Sequence, residues 1–167
     1  LSTNILCLAL EYMDLGNLTS ITYKLSIEYI KYVSFSILSA LNALHDELYI
    51  HNDVKPDNIL INNHGDVKLA DFGCCFKMKS TDQNMTDNVC GSRQYYAPEK
   101  WLITPVEYNT KSDIWSFGIT LYELITLTMD NVMENGHFEP PKLNDAEYDE
   151  DLCSFLDKIC LLYTSPS

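Results

Sequence analysis

Apolar residues recur at spacings of three and four along the stretch from Ser26 to about Glu47, where Ile30, Val33, Ile37, Leu41 and Leu44 form one stripe. That period predicts an amphipathic helix. Ser26 is placed to cap its N-terminus, and Glu28 in the first turn suits the helix dipole. A second helix is predicted from Ser112 to about Leu127, with Ile114, Phe117, Leu121, Leu124 and Ile125 on one face. A third runs from Asp149 to Cys160 and carries Leu152, Phe155, Leu156 and Ile159. Between the first two helices the period shortens. Ile59 to Asn62 and Val67 to Ala70 read as short strands joined by an Asn63-His64-Gly65 tip, hence a hairpin. Ile5 to Glu11 is a further strand-like run.

The remaining segments lack periodicity. Tyr12 to Gly16 is a connector, and Gly16-Asn17 marks a turn or a helix start. Asp71 to about Glu99 is a long stretch without pattern, and such stretches inside a compact domain are usually functional. Asp130 to Asp145 reads as a loop around Pro140-Pro141. No internal repeat and no linker is visible. The order is not an alternation of strands and helices, so a doubly wound sheet is not expected. The predicted class is α+β: mainly helical, with a small β element at one edge.

Composition narrows the function. The chain has 167 residues, 46% of them apolar and 21% charged, a globular balance. Its net charge is −13 and Arg93 is its only arginine, which argues against nucleic-acid binding. The six cysteines form no C-x-x-C pair and have no histidine at metal-ligand spacing. Reduced thiols in an intracellular, cytoplasmic protein are the simplest expectation. No apolar run reaches membrane-spanning length, and no membrane partner is expected. The closing Leu-Leu-Tyr-Thr-Ser-Pro-Ser resembles translated adapter sequence. The expected domain is therefore 1–160, with a non-native tail at 161–167.

The stretch HNDVKPDN, from His51 to Asn58, is where chemistry concentrates. A loop rich in Asp, Asn and Pro is often only a turn. Here, however, the predicted hairpin folds its second strand back beside the first, so Asp71 can return close to Asn58. A carboxylate and an amide oxygen together suit Mg2+, which takes few protein ligands plus phosphate oxygens. Asp53 is then free to orient a hydroxyl and accept its proton. Lys55 can neutralise charge on a transferring phosphoryl group. This is a kit for phosphoryl transfer.

The same residues carry a family resemblance. HNDVKPDN is similar to the catalytic loop H-R-D-x-K-x-x-N of eukaryotic protein kinases. Ala70-Asp71-Phe72-Gly73 contains the D-F-G motif, and Ala97-Pro98-Glu99 the A-P-E motif. Ser112 to Gly118, SDIWSFG, is similar to the family's central C-lobe helix. The resemblance covers about Ile5 to Cys160. It implies a protein-kinase-like fold seen as a hinge strand and a mainly helical C-lobe, with the N-lobe largely absent. It also implies ATP and Mg2+ as cofactors and a protein substrate. Asp53 would be the catalytic base-like residue, Lys55 would contact the γ-phosphate, and Asn58 and Asp71 would hold magnesium. Asp113 would anchor the backbone of the catalytic loop, and His51 would pack and hydrogen-bond structurally. Leu10 would be the gatekeeper, and Glu11 and Met13 would bond the adenine edge through their backbones. Asn17 would sit near the ribose or simply cap a helix. Leu60 would pack under the base, though Leu10 and Leu60 also read as ordinary core residues. Lys55 is the serine/threonine-type residue at its place, and the Ser92 hydroxyl would bridge Asp53 and Lys55. Pro140-Pro141-Lys142-Leu143, Tyr108 to Asp113 and Asp157 to Cys160 are similar to MAP kinase kinases.

Departures from the pattern matter as much. Asn52 stands where the family has an Arg that pairs with a phosphate on the activation segment. Ser80, Thr81 and Thr86 are candidate phosphosites or plain polar loop residues, and Asn52 implies that activity does not depend strictly on their phosphorylation. The family's glycine-rich loop, strand lysine and helix glutamate would precede Leu1, and an Arg partner for Glu99 would follow Cys160. The expectation is a fragment of a serine/threonine kinase, inactive in isolation. The alternatives are a pseudokinase acting as a binding or scaffold module, or a truncated product with no function.

Overall fold

The computed structural model describes residues 7–21, 23–79, 89–101, 108–128, 133–134, 137–138, 142–144 and 147–164. The element order is β1 (Gly16–Asn17), α1 (Ile27–Asp46), β2 (Tyr49–Ile50), β3 (Ile59–Ile61), β4 (Val67–Leu69), β5 (Phe76–Lys77), α2 (Lys111–Thr126), β6 (Met133–Glu134), β7 (His137–Phe138) and α3 (Glu150–Thr164). This is the expected α+β class, dominated by helices.

Helix α1 forms as its pattern dictates. The Ser26 hydroxyl accepts from the Tyr29 N–H, 3.2 Å away, and Glu28 lies in the first turn. Ile30, Val33, Ile37 and Leu41 are buried in one core with Phe117, Leu121 and Leu124 of α2 and Leu152, Leu156 and Ile159 of α3. Helix α2 is apolar on more than one side, as a central helix must be. Its other face sets Trp115 and Ile119 against Tyr95 and Ala97. A Cβ at Gly118 would lie 3.0 Å from Ile159 Cγ2, so a glycine there lets α3 approach closely. The α2 N-terminus starts one residue earlier than its apolar pattern. Asn109 explains this, because its side chain and carbonyl accept from the N–H groups of Lys111 and Ser112. Helix α3 continues to Thr164, beyond the end read from its pattern.

The predicted hairpin is present, with β3 and β4 antiparallel and Ile59 opposite Leu69. Its tip is held by Asn62, whose Oδ1 accepts from the N–H groups of His64 and Asp66. The sequence pattern missed a third strand, β1, which pairs with β3 so that Asn17 faces Leu60. Gly16 does make the expected turn, at φ +75° and with its N–H on Met13 O, but the chain then continues into the sheet. Two-residue ladders were also invisible to periodicity. Strand β2 pairs with β5, and β6 with β7 inside the stretch read as loop.

Two expectations are corrected. Residues 7–11 of the predicted strand form no strand, and Leu8 and Leu10 are 77% and 85% exposed. A strand needs a ladder partner, and among the described residues none lies alongside. Cys74 and Cys90 are not reduced thiols but a disulfide, their Cα atoms 5.5 Å apart, a separation that sequence spacing does not reveal. Cys7, Cys75, Cys153 and Cys160 form no disulfide. The cysteine argument for an intracellular location therefore falls away. Among the described residues, no helix is long and apolar enough to cross a membrane.

Candidate active site

Asp113, in the first turn of α2, is fully buried. Its Oδ2 accepts from the His51 N–H at 2.8 Å and its Oδ1 from the Asn52 N–H at 2.8 Å. His45, at the end of α1, adds a contact from Nε2 to Oδ2 at 2.9 Å. A carboxylate on consecutive backbone N–H groups makes strong charge-assisted bonds. This fixes the backbone at the start of the His51–Asn58 loop, a contact of the kind the resemblance implied.

His51 is buried and structural. Its Nε2 lies 3.0 Å from Ala70 O, and the Asp53 N–H donates to its Nδ1 at 3.3 Å. Those partners define a neutral ring with the proton on Nε2. Burial pushes its pKa below the usual value, although Asp113, Ala70 O, Asp53 and Asp71 pull it up. Phe72 meets the ring edge-on, with centroids 5.2 Å apart.

Asp53 is held from three directions. Its Oδ2 lies 2.9 Å from Lys55 Nζ and accepts from Asn58 Nδ2 at 3.0 Å. Its Oδ1 accepts from the Ser92 N–H at 2.7 Å. Burial alone would raise its pKa. Hydrogen bonds from Lys55, Ser92 and Asn58, with the Lys55 charge, outweigh that and hold the carboxyl below its ordinary value. Asp53 is thus a carboxylate at neutral pH. Lys55 Nζ also donates to Ser92 Oγ at 2.7 Å. The bridge expected from the Ser92 hydroxyl alone is in fact shared: the backbone N–H serves Asp53 and the hydroxyl serves Lys55.

Asn58 donates through Nδ2 to Asp53 O at 2.7 Å as well as to the carboxylate. Its amide oxygen is then the atom left to face a cation. The Ala70 N–H donates to Asn58 O at 2.8 Å, which brings the residue before Asp71 beside Asn58, as the hairpin argument required. Asp71 is exposed and left-handed at φ +58°, with Oδ1 accepting from the Gly73 N–H at 3.1 Å. One amide and one carboxylate oxygen suit a divalent cation that keeps other ligands from water or phosphate. Among the described residues, no cluster of three or more His, Cys, Asp or Glu forms a protein-only metal cage.

The other expected residues are placed less uniformly. Met13 is buried and its carbonyl is taken by the Gly16 N–H. Asn17 and Leu60 are half-buried and face each other across β1 and β3. Asn17 flanks a short helical turn at Leu18–Ser20 without a capping bond from its side chain. Leu10 and Glu11 are exposed, and Glu11 Oε2 lies 3.4 Å from Lys68 Nζ. Ser80, Thr81 and Thr86 lie outside the described residues. Lys100 was overlooked. It is buried, with Nζ on Asn52 Oδ1 at 2.9 Å. The available signal was paired: a lysine directly after Ala97-Pro98-Glu99, and Asn52 where an arginine was expected.

The protein kinase domain family model matches residues 2–141. The chain is 38% identical over 124 residues to the Rho-associated protein kinase let-502 of Caenorhabditis briggsae, covering 72% of this chain and 10% of that protein. It is 37% identical over 147 residues to the serine/threonine-protein kinase CLA4 of Candida albicans, covering 85% and 14%. It is 35% identical over 149 residues to the dual specificity mitogen-activated protein kinase kinase mek-2 of Caenorhabditis elegans, covering 87% and 35%. The chain therefore spans a minor part of each relative, and similar identities to such different kinases favour no subgroup.

Proposed function

Because the chain belongs to the protein kinase domain family, we propose that it carries the catalytic loop of a serine/threonine kinase that transfers the γ-phosphate of ATP to a protein hydroxyl. The observation that carries this reading is the closed triangle of Asp53, Lys55 and Ser92, with contacts of 2.9, 2.7 and 2.7 Å. In it, Asp53 stays ionised and orients the attacking hydroxyl, accepting its proton as the phosphoryl group leaves ATP. Lys55 is held where it meets the transferring phosphate without free rotation. Asn58 and Asp71 would hold Mg2+, which neutralises charge on the phosphate oxygens when bound. Met13, Asn17 and Leu60 would line the nucleotide side of the cleft, with Leu10 and Glu11 closing it. Ser92 presents the segment that receives the protein substrate, and Thr81 and Thr86 are its proposed phosphosites. Exposed Asp57 and the net charge of −13 favour a basic substrate.

The test is phosphotransfer to basic protein substrates by the full-length protein that contains this segment. Asp53→Asn and Asp71→Asn should each cost about a hundredfold or more in kcat. A second reading, a kinase-like binding module, is favoured by Asn52 alone. Nucleotide binding with no turnover, unchanged by Asp53→Asn, would support the module and sink the enzyme.

A further inference from the structure

Lys100 is the only buried lysine or arginine among the described residues, at 4% exposure. A buried ammonium needs compensation. Among the described residues, no carboxylate lies within ion-pair distance of its Nζ. Instead Nζ donates to the neutral amide of Asn52 at 2.9 Å and lies over the rings of Tyr108 and Tyr96, at 4.5 and 5.5 Å. Burial lowers the pKa of this ammonium, while the fields of Asp113, Glu99 and Asp53 act to keep it charged.

Asn52 makes this costly arrangement meaningful. It is 3% exposed and left-handed at φ +68°. Its N–H is on Asp113, its Nδ2 donates to Cys74 O at 3.0 Å, and its Oδ1 accepts from Lys100. A Cβ at Gly91 would lie 2.1 Å from its carbonyl oxygen. One amide side chain therefore joins the start of the segment, at Cys74, to its end, at Lys100, and the next residue is Asp53. A cationic side chain at position 52 would face the Lys100 charge, so the pair is matched as amide and ammonium.

We propose that Lys100 is a positioning residue for the catalytic loop: acting through Asn52, its ammonium pins both ends of the segment from Asp71 to Lys100 against the loop that carries Asp53, and does so without a phosphate on that segment. The catalytic half of this statement rests on the phosphotransfer reading above.

The experiment uses the full-length protein, treated with a phosphatase, as wild type, Lys100→Met, Asn52→Leu and the double variant. Two readouts are taken: amide hydrogen exchange at Asn52 and Asp53, and kcat with KM for ATP. Lys100→Met should speed exchange at those amides and lower kcat about tenfold or more, with KM for ATP within about twofold. The double variant should be no worse than the poorer single one, because once both side chains are replaced neither leaves the other unpaired. Wild-type kcat should survive phosphatase treatment within about twofold. The proposal is overturned by a kcat that collapses on phosphatase treatment, by defects that add in the double variant, or by exchange that rises through α2 as much as through the loop. If the wild type transfers no phosphate at all, the proposed function fails, and the exchange data alone decide the role of Lys100.

Discussion

Lys55 Nζ and Ser92 Oγ lie 2.7 Å apart although 37 residues separate them in the chain. The ammonium also faces Asp53, so the serine determines which way Lys55 leans. We predict that Ser92→Ala leaves the fold intact and lowers kcat about tenfold, the effect of one charge-assisted hydrogen bond. Ser92→Thr should retain activity, since the hydroxyl persists. Ser92→Pro should do more damage, because it also removes the N–H that Asp53 accepts from. Steady-state kinetics of the three variants would check the order. Equal activity in all three would mean that Lys55 needs no partner at residue 92.

Gly91 sits at φ +110° with the Asn52 carbonyl oxygen in the space a Cβ would take. Gly91→Ala should therefore cost at least about 2 kcal/mol and loosen the Ser92–Asp53 contact. A urea titration of wild type and variant reads the loss as a lower midpoint. An unchanged midpoint would contradict the close approach.

Glu99 supplies a pH signature. Burial raises its pKa to about 7, against weaker opposing effects of its own backbone and Lys100. Between the unfolded value of about 4.5 and about 7, the folded chain holds this proton and the unfolded chain does not, so stability falls as pH rises. His51 has the opposite sign, because its lowered pKa makes stability fall as pH drops below about 6.5. Glu99→Gln should remove only the first trend, raising stability at pH 8 relative to pH 5. Urea midpoints of wild type and variant at the two pH values are the measurement. The same pH slope in both proteins would rule out Glu99 as its source.

The Cys74–Cys90 bond spans 16 residues of sequence. Reduction by a dithiol should lower stability by about 3 kcal/mol on the chain-entropy account. Peptide mapping without reductant should recover the two cysteines as one linked species, and Cys74→Ser should show no further loss on adding dithiothreitol. Two free thiols under oxidising conditions would disprove the link.

The legible parts of this chain were those with a local period or a local motif. Helix α1 could be read because Ser26, Glu28 and the Ile30–Leu41 stripe all act within a few turns. The β3–β4 hairpin could be read from its turn residues, and its fold-back implies a chain that returns past Asn58, where the Ala70 N–H meets the Asn58 carbonyl. What stayed hidden depends on distant partners. Ladders of two residues, such as β2 with β5, have no period to detect. The disulfide and the Lys100–Asn52 contact join positions 16 and 48 apart, and no local pattern announces such a pairing. The strand expected at Ile5–Glu11 is absent over its described part, 7–11, for the complementary reason: its apolar residues have a strand's composition, but a strand exists only with its neighbour.

Asp113 reaches its two loop amides across 62 and 61 residues of chain. Contacts of such separation form late, after the entropy of closing a long loop has been met. While the chain is being synthesised, α1 and the β3–β4 hairpin can assemble from local contacts, but the loop between them lacks its Asp113 anchor until α2 arrives. The arrangement around Asp53 is thus a property of the finished fold. A nascent chain stopped short of α2 would carry every loop residue without the carboxylate that orders their backbone.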